Sequence, residues 1–307
     1  MRVLHLDVNH PLIIEQFNAL GYTNDEDYKA SKEEIEAKLH LYDGIIIRSR
    51  FTIDKTFLDK ATNLKFIGRL GAGLENIDTV YAKQKGVFLA SAPEGNRNAV
   101  GEHTLGMTLS LFNKLNKADK EVRSGTWDRE GNRGIELDGK TVGIIGYGNM
   151  GKAFAKKLRG FDVEVICYDI LGGVGNEDAR QVGILELQQK TDILSLHVPQ
   201  TEETIGIINT EFVSGFHKDF WLLNTARGKC IKTEDLVDAL ESKKILGAGL
   251  DVLSTEPPDK NNPLLGLENC IITPHSAWAS FESRQRCLNI IVENISAFMN
   301  DKPQNLV

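Results

Sequence analysis

Cysteine is scarce, and the four present (Cys167, Cys230, Cys270 and Cys287) are scattered, with no CxxC pair and no histidine at zinc-finger spacing. That sets aside a disulfide framework and a structural zinc site, and the thiols read as buried or inert. No metal site is expected. Also missing is any uninterrupted run of about 18 apolar residues, the length a membrane-spanning helix needs. The opening stretch, MRVLHLDVNHPLI, lacks the basic segment and long apolar run of a signal peptide. The expectation is therefore a soluble, cytoplasmic protein with no membrane partner. Positive charge is in deficit, since 36 Lys and Arg stand against 43 Asp and Glu, a net charge of −7. Without a broad basic field, nucleic acid is not expected as a partner. Internal repeats, low-complexity tracts and charge runs are absent too, which removes solenoids and disordered tails.

What is present is length and alternation. A chain of 307 residues favours two domains, and one of 34.1 kDa buries roughly three quarters of its surface without staples. Short apolar runs alternate with helix-length amphipathic stretches, the pattern of βαβ units, so the fold class is α/β with parallel sheets. In the first hundred residues strands are expected at Val3–Leu6, Gly44–Ile47, Lys65–Ile67 and Val87–Leu89, with a helix over Ser31–Leu39. A long helix is expected from Asn98 past Leu111, then a polar connector, Arg123–Glu136, that includes Trp127. From Thr141 six further strands follow, TVGIIGYG, VEVICYD, ILSLHV, FWLLNTA, LGAGLDV and CIITPH, and a final helix covers Phe281–Met299. Six parallel strands suit a doubly wound dinucleotide fold.

The sharpest local motif is GYGNMG, placed directly between the apolar strand TVGII and the helical stretch KAFAKKLRG. Gly146 allows the tight turn, Gly148 lets backbone approach a pyrophosphate, and Gly151 lets helix and strand pack closely. A second strand, VEVICY, ends at Asp169, where an acid accepts hydrogen bonds from both ribose hydroxyls of NAD and repels a 2′-phosphate. NAD is therefore expected in preference to NADP. Two later segments hold polar groups at strand ends, where open α/β sheets place ligands. In LLNTARG, Arg227 has a fork suited to a carboxylate, although taken alone it reads sooner as a surface arginine in an ion pair. LDVLSTEPP and ITPHSAWAS place Asp251 and Glu256 in one strand-end loop and His275 just after another strand. A histidine positioned by a carboxylate is an acid/base unit, while His275 by itself reads sooner as a satisfied structural histidine.

Together, GRLGAGLENID, NAVGEHTLGM, GIIGYGNMG, SLHVP, NTARG, GLDVLSTEPP and TPHSA resemble, in order and approximate spacing, the D-isomer-specific 2-hydroxyacid dehydrogenase family over nearly the whole chain. The resemblance implies two doubly wound parallel-sheet domains. Residues 98–280 would form a Rossmann NAD-binding domain, and residues 1–97 with 281–307 a smaller, flavodoxin-like substrate domain. It implies that Arg227 clamps the substrate carboxylate, that His275 exchanges a proton with the 2-oxygen, and that Glu256 holds the imidazole and raises its pKa. It further assigns Asn149 and Met150 to the pyrophosphate turn and Asp169 to the adenosine ribose. Val198 and Pro199 would border the nucleotide, with Thr225 and Asp251 near the nicotinamide, Asp251 being alternatively a strand-end cap. Backbone amides around Ala72 and Gly73 would supply further carboxylate donors. The region beginning near Asn98 implies a homodimer, although an apolar face there serves equally as intramolecular core.

For the substrate, Arg48 and Arg50 in RSRF and Arg69 in a second loop exceed what one carboxylate requires, and the surplus suits a phosphate. That points to 3-phosphoglycerate, as in short, serine-pathway D-3-phosphoglycerate dehydrogenases, although Phe51 stands where Thr is common. The chain stops at Val307, so a C-terminal regulatory domain is not expected. Against this, SAWAS with Trp278 resembles glycerate and hydroxypyruvate reductases of the same family. From another class stands an NAD-responsive, corepressor-like interaction protein, since fold does not fix function.

Overall fold

The computed structural model describes residues 1–300 and Lys302. The chain packs into two compact units, one formed by Met1–Asn96 with the segment from Ala279 onward, the other by Arg97–Trp278.

The first unit holds five parallel strands: β1 (Arg2–His5), β2 (Thr23–Glu26), β3 (Gly44–Ile47), β4 (Phe66–Arg69) and β5 (Phe88–Ala90). Their order, β2-β1-β3-β4-β5, is the flavodoxin-like doubly wound order. All four residues of β3 are buried. Ile45 and Ile47 join one apolar cluster with Leu4, Leu39 and Phe57, while Ile46 joins the opposite one with Phe17, Phe66 and Ile291. A strand buried on both faces reads as a continuous apolar run, which is why GIII was legible. β2 carries the sequence TNDE, pairs only with β1 and has no buried residue, so no periodicity marked it. The helix Lys32–Lys38 starts at a capping box in which Ser31 Oγ accepts from the Glu34 amide and Glu34 Oε2 accepts from the Ser31 amide. The helix Phe281–Met299 lies on β4 and β5 and buries Cys287, Leu288, Ile291 and Ile295. Each buried aliphatic side chain contributes about 1.5–3 kcal/mol.

The second unit is a seven-stranded parallel sheet: β6 (Thr141–Ile145), β7 (Glu164–Tyr168), β8 (Arg180–Gln181), β9 (Ile193–Leu196), β10 (Phe220–Asn224), β11 (Ile245–Leu250) and β12 (Cys270–Ile272). The order β12-β11-β10-β9-β6-β7-β8 reverses direction at β6 and β9, the switch point of a Rossmann sheet. Six strands coincide with apolar runs. The seventh, β8, is a two-residue edge with no buried residue. The helix Arg97–Phe112 packs on the helix Asn149–Lys157 and on β11, burying Val100, Thr104, Met107, Thr108 and Leu111. Its apolar face is thus core of this unit. All four cysteines are free thiols; burial pushes Cys167 and Cys287 up to about 11 and Cys270 up to about 12. Among the described residues no helix is long and apolar enough to cross a membrane, and no group of three or more potential ligands clusters around a metal position.

His5 is fully buried in β1. Its Nε2 donates to Asn24 Oδ1 at 2.8 Å, because the Asn24 amide nitrogen is itself a donor to Asn18 Oδ1. Its Nδ1 is buried without a hydrogen-bond partner among the described residues. Burial therefore holds the imidazole below its ordinary 6.5. The unfolded chain takes up this proton at about pH 6.5 and the native chain only at a lower pH, so the stability is fully present above about pH 6.5 and is lost as pH falls toward the native value. Urea unfolding should show a drop in stability from pH 7 to 5 of up to about 1.4 kcal/mol per pH unit from this residue. His5→Gln should flatten that dependence, and an unchanged slope would remove His5 as its cause.

Candidate active site

The carboxyl end of β6 runs straight into the glycine turn. Gly146 has φ +88°, and a Cβ there would lie 2.6 Å from the carbonyl oxygen of His197, so a side chain is excluded both by conformation and by the loop after β9. Gly148 caps the helix Asn149–Lys157, and a Cβ on it would meet nothing within 4 Å. The backbone is therefore bare on that side, while the first-turn amides of Asn149, Met150 and Gly151 have no partner inside the helix. A bare loop closed by unpaired amides fits a pyrophosphate. At Gly151 a Cβ would sit 2.3 Å from Gly146 O, which fixes how closely helix and turn approach.

Asp169, just after β7, holds the turn from the side. Its Oδ2 accepts from the Tyr147 amide at 2.7 Å and its Oδ1 from the Leu171 amide at 2.9 Å. The Tyr147 ring is buried beneath, with its hydroxyl on Asn176 Oδ1 at 2.6 Å. Val198 and Pro199 follow β9 and face the same edge, with Thr204 donating to Pro199 O at 2.6 Å.

The next three strand ends carry the polar groups. After β10, Asn224 donates to Arg227 O and accepts from the Ala226 amide, both at 3.0 Å, so the NTARG turn is bonded across itself. Arg227 Nη1 donates to Ala226 O at 2.7 Å. A Cβ on Gly228 would stand 2.0 Å from the carbonyl of Leu253, so this glycine lets the Arg227 turn lie against the loop that carries Glu256.

After β11, Asp251 is buried at 2% exposure. Its carboxylate accepts from Thr273 Oγ1 at 2.6 Å and from the amides of Ser276 and Ala277, each at 2.9 Å. After β12, the His275 amide donates to Asp251 O at 2.8 Å, and the residue takes the left-handed region, φ +52°. A non-glycine residue there costs of order 1–2 kcal/mol and persists because its neighbours are fixed. His275 Nδ1 lies 2.7 Å from Glu256 Oε2, and Glu256 Oε1 accepts from the Leu253 amide at 3.0 Å. A carboxylate only accepts, so Nδ1 carries the hydrogen and Nε2 of the neutral ring is an acceptor. The pair is accessible, with side-chain exposures of 43% and 37%.

In the other unit, Arg48 and Arg50 occupy the loop after β3, Ala72 and Gly73 the loop after β4, and Arg69, expected in a loop, is the last residue of β4 itself. The Arg48 amide donates to Asp7 Oδ2 at 2.6 Å. Arg50 Nη1 donates to Leu6 O at 2.9 Å and to Asp27 O, and its Nη2 to Ala30 O. Its guanidinium also lies 4.6 Å from the Phe51 ring centroid. The fork expected to meet a phosphate is instead a backbone staple. Arg69 folds back over its own loop, with Nη1 1.7 Å from where a Cβ on Gly71 would stand. Ala72 and Gly73 are half-buried.

Sequence reasoning passed over His103 and Thr104 on the helix Arg97–Phe112, and Thr273. His103 Nε2 lies 3.0 Å from Thr273 Oγ1, and Thr104 Oγ1 lies 3.1 Å from Thr225 Oγ1. Polar groups in the midst of GEHTLGMTL were the available signal.

Residues 105–277 match the family described as "D-isomer specific 2-hydroxyacid dehydrogenase, NAD binding domain". A hydroxypyruvate reductase from Blautia hydrogenotrophica is 37% identical over 271 residues, 86% of this chain and 84% of that one. A D-3-phosphoglycerate dehydrogenase from Archaeoglobus fulgidus is likewise 37% identical over 270 residues, but this chain spans only 51% of its length. Among solved structures, an acyclic imino acid reductase in complex with NADPH and D-Arg superimposes with a TM-score of 0.91 at 29% identity, over 100% of both chains. The chain belongs to the D-isomer specific 2-hydroxyacid dehydrogenase family, as an NAD-binding oxidoreductase acting on small 2-hydroxy and 2-keto acids.

Proposed function

We propose that the protein interconverts an unphosphorylated, short D-2-hydroxy acid and its 2-keto acid, with D-glycerate and hydroxypyruvate as the reference pair. The bound nicotinamide supplies the hydride acceptor or donor. In oxidation His275 Nε2 takes the proton of the 2-hydroxyl; in reduction the imidazolium returns it to the 2-oxygen. Glu256, 2.7 Å from Nδ1, fixes the ring and its tautomer and compensates the positive charge when Nε2 is protonated. Arg227, at the neighbouring strand end, clamps the carboxylate and orients C2. Asp251 holds the His275 loop.

The observation that carries the substrate choice is Arg50. Binding a phosphate demands a guanidinium whose donors are turned outward, and this one is bonded to three carbonyls of its own unit. A second reading, 3-phosphoglycerate, retains Arg48 and Arg69 and has relatives in its favour. NADH formation with D-glycerate and, separately, 3-phosphoglycerate at alkaline pH separates the two. D-Glycerate is expected to give the higher kcat/KM by at least about tenfold, roughly 1.4 kcal/mol. A preference for 3-phosphoglycerate would return the arginines to phosphate binding, and NAD binding with no turnover of several 2-hydroxy acids would end the enzymatic reading altogether.

Asp169 favours NAD, because its charge would oppose a 2′-phosphate placed against it. The ratio of kcat/KM for NAD over NADP should exceed about ten and fall in Asp169→Asn, which removes the charge. Equal use of both cofactors by the wild type would refute the assignment.

A homodimer is proposed through the surface that follows the helix Arg97–Phe112. The helix Leu115–Arg123 has no buried residue, and Leu115, Val122, Trp127 and Ile135 are exposed apolar groups on one stretch of chain. Sedimentation at micromolar concentration should give a dimer, and Val122→Asp with Trp127→Asp a monomer; a monomeric wild type removes the proposal.

A further inference from the structure

We propose that His103, on the helix Arg97–Phe112, is a positioning residue for His275, acting through the hydroxyl of Thr273. The inference rests on His275 being the acid/base group. Thr273 Oγ1 is 2.6 Å from a carboxylate oxygen of Asp251, which can only accept, so the threonine hydroxyl hydrogen points to Asp251. The same Oγ1 lies 3.0 Å from His103 Nε2 and has only acceptor capacity left, so His103 is the donor and carries its hydrogen on Nε2. The chain of bonds runs from His103 to Thr273 to Asp251, whose carboxylate also takes the amides of Ser276 and Ala277. These partners bracket His275 on both sides. His103 Nε2 also lies 3.6 Å from a carboxylate oxygen of Asp251 itself.

The adjacent residue does the equivalent at the next strand but one. Thr104 Oγ1 donates to Val100 O at 2.7 Å, so at 3.1 Å from Thr225 Oγ1 it accepts, and the Thr225 hydroxyl is fixed as donor. Two consecutive residues of one helix thus hold the ends of β10 and β12, from which Arg227 and His275 project. The helix cannot slide, because it is seated against the helix Asn149–Lys157, where a Cβ on Gly101 would stand 3.0 Å from Ala153 O. Placement of the acid/base histidine is therefore set from a helix that precedes the glycine turn in the chain and makes no strand of the sheet.

The test compares steady-state kinetics of His103→Leu, His103→Gln and His275→Gln, with NADH affinity followed by fluorescence. Misplacing a catalytic group by about an ångström costs roughly a hundredfold, so His103→Leu should lower kcat about 10–100-fold. Its NADH affinity and KM for NADH should move less than about threefold, since the glycine turn is untouched. His103→Gln retains a donor at Nε2 and should recover to within about threefold of wild-type kcat. A role in packing alone predicts the reverse ranking, with leucine tolerated and glutamine not. Should His103→Leu fail to fold, Thr273→Val and Thr273→Ser ask the same question from the other side of the bond, with Val slow and Ser close to wild type. Wild-type kcat in His103→Leu, or in Thr273→Val, alongside an inactive His275→Gln would overturn the inference and leave the acid/base assignment standing. Full activity of His275→Gln would remove that assignment and the inference with it.

Discussion

A carboxylate taken out of water costs several kcal/mol unless nearly every lone pair is bonded, and Asp251, at 2% exposure, meets that demand with partners drawn from a single neighbouring loop. The requirement works in both directions. The loop satisfies the buried charge, and the charge in turn fixes residues 273–277 against the end of β11. His275 is held in a left-handed conformation in the middle of that stretch, a state that would relax if the flanking bonds were weaker. Glu256 arrives from the loop after β11, meets His275 at 2.7 Å, and its loop lies against the Arg227 turn at Gly228. The functional constellation of this unit is thus an outcome of satisfying one charge near the end of a parallel strand.

Parallel topology explains why so many of these groups meet at one edge. Every strand of the seven-stranded sheet runs the same way, so every loop that follows a strand emerges on the same side. At the switch between β6 and β9 the neighbouring loops part, and the bare turn around Gly148 occupies that opening. The glycine turn and His275 therefore share an edge by geometry, with three strand ends, those of β9, β10 and β11, set between β6 and β12 in a fixed order.

Legibility in the sequence followed the physics of burial. Strands covered on both faces, such as GIII and TVGII, were evident as apolar runs, and the glycine turn was evident because its spacing follows from close approach and a positive φ. β2 and β8 were not legible, since an edge strand with no buried residue has no periodicity to display. His275, Glu256 and Arg227 stand out as a set because their motifs resemble those of a family; taken singly, His275 and Arg227 each have an ordinary structural reading. His103 and Thr273 went unnamed because a bond between residues 170 apart in the chain leaves no local pattern. Arg50 shows the opposite limit. Two arginines flanking a serine after a strand read as an anion site, yet a guanidinium has five donors and serves backbone carbonyls as well as phosphate, and sequence alone does not say which.

The two sheets share a trait at their margins. β2 has four polar residues, two of them acidic, β8 has two residues, and β5 and β12 have three each. Unpaired backbone at a sheet rim is a template for adding another chain, and short or charged rims give such a chain too few bonds to hold. Both sheets are consequently closed to growth by strand addition. A copy that met either rim would gain only a few backbone bonds, so helix faces and loops are the better surfaces for assembly.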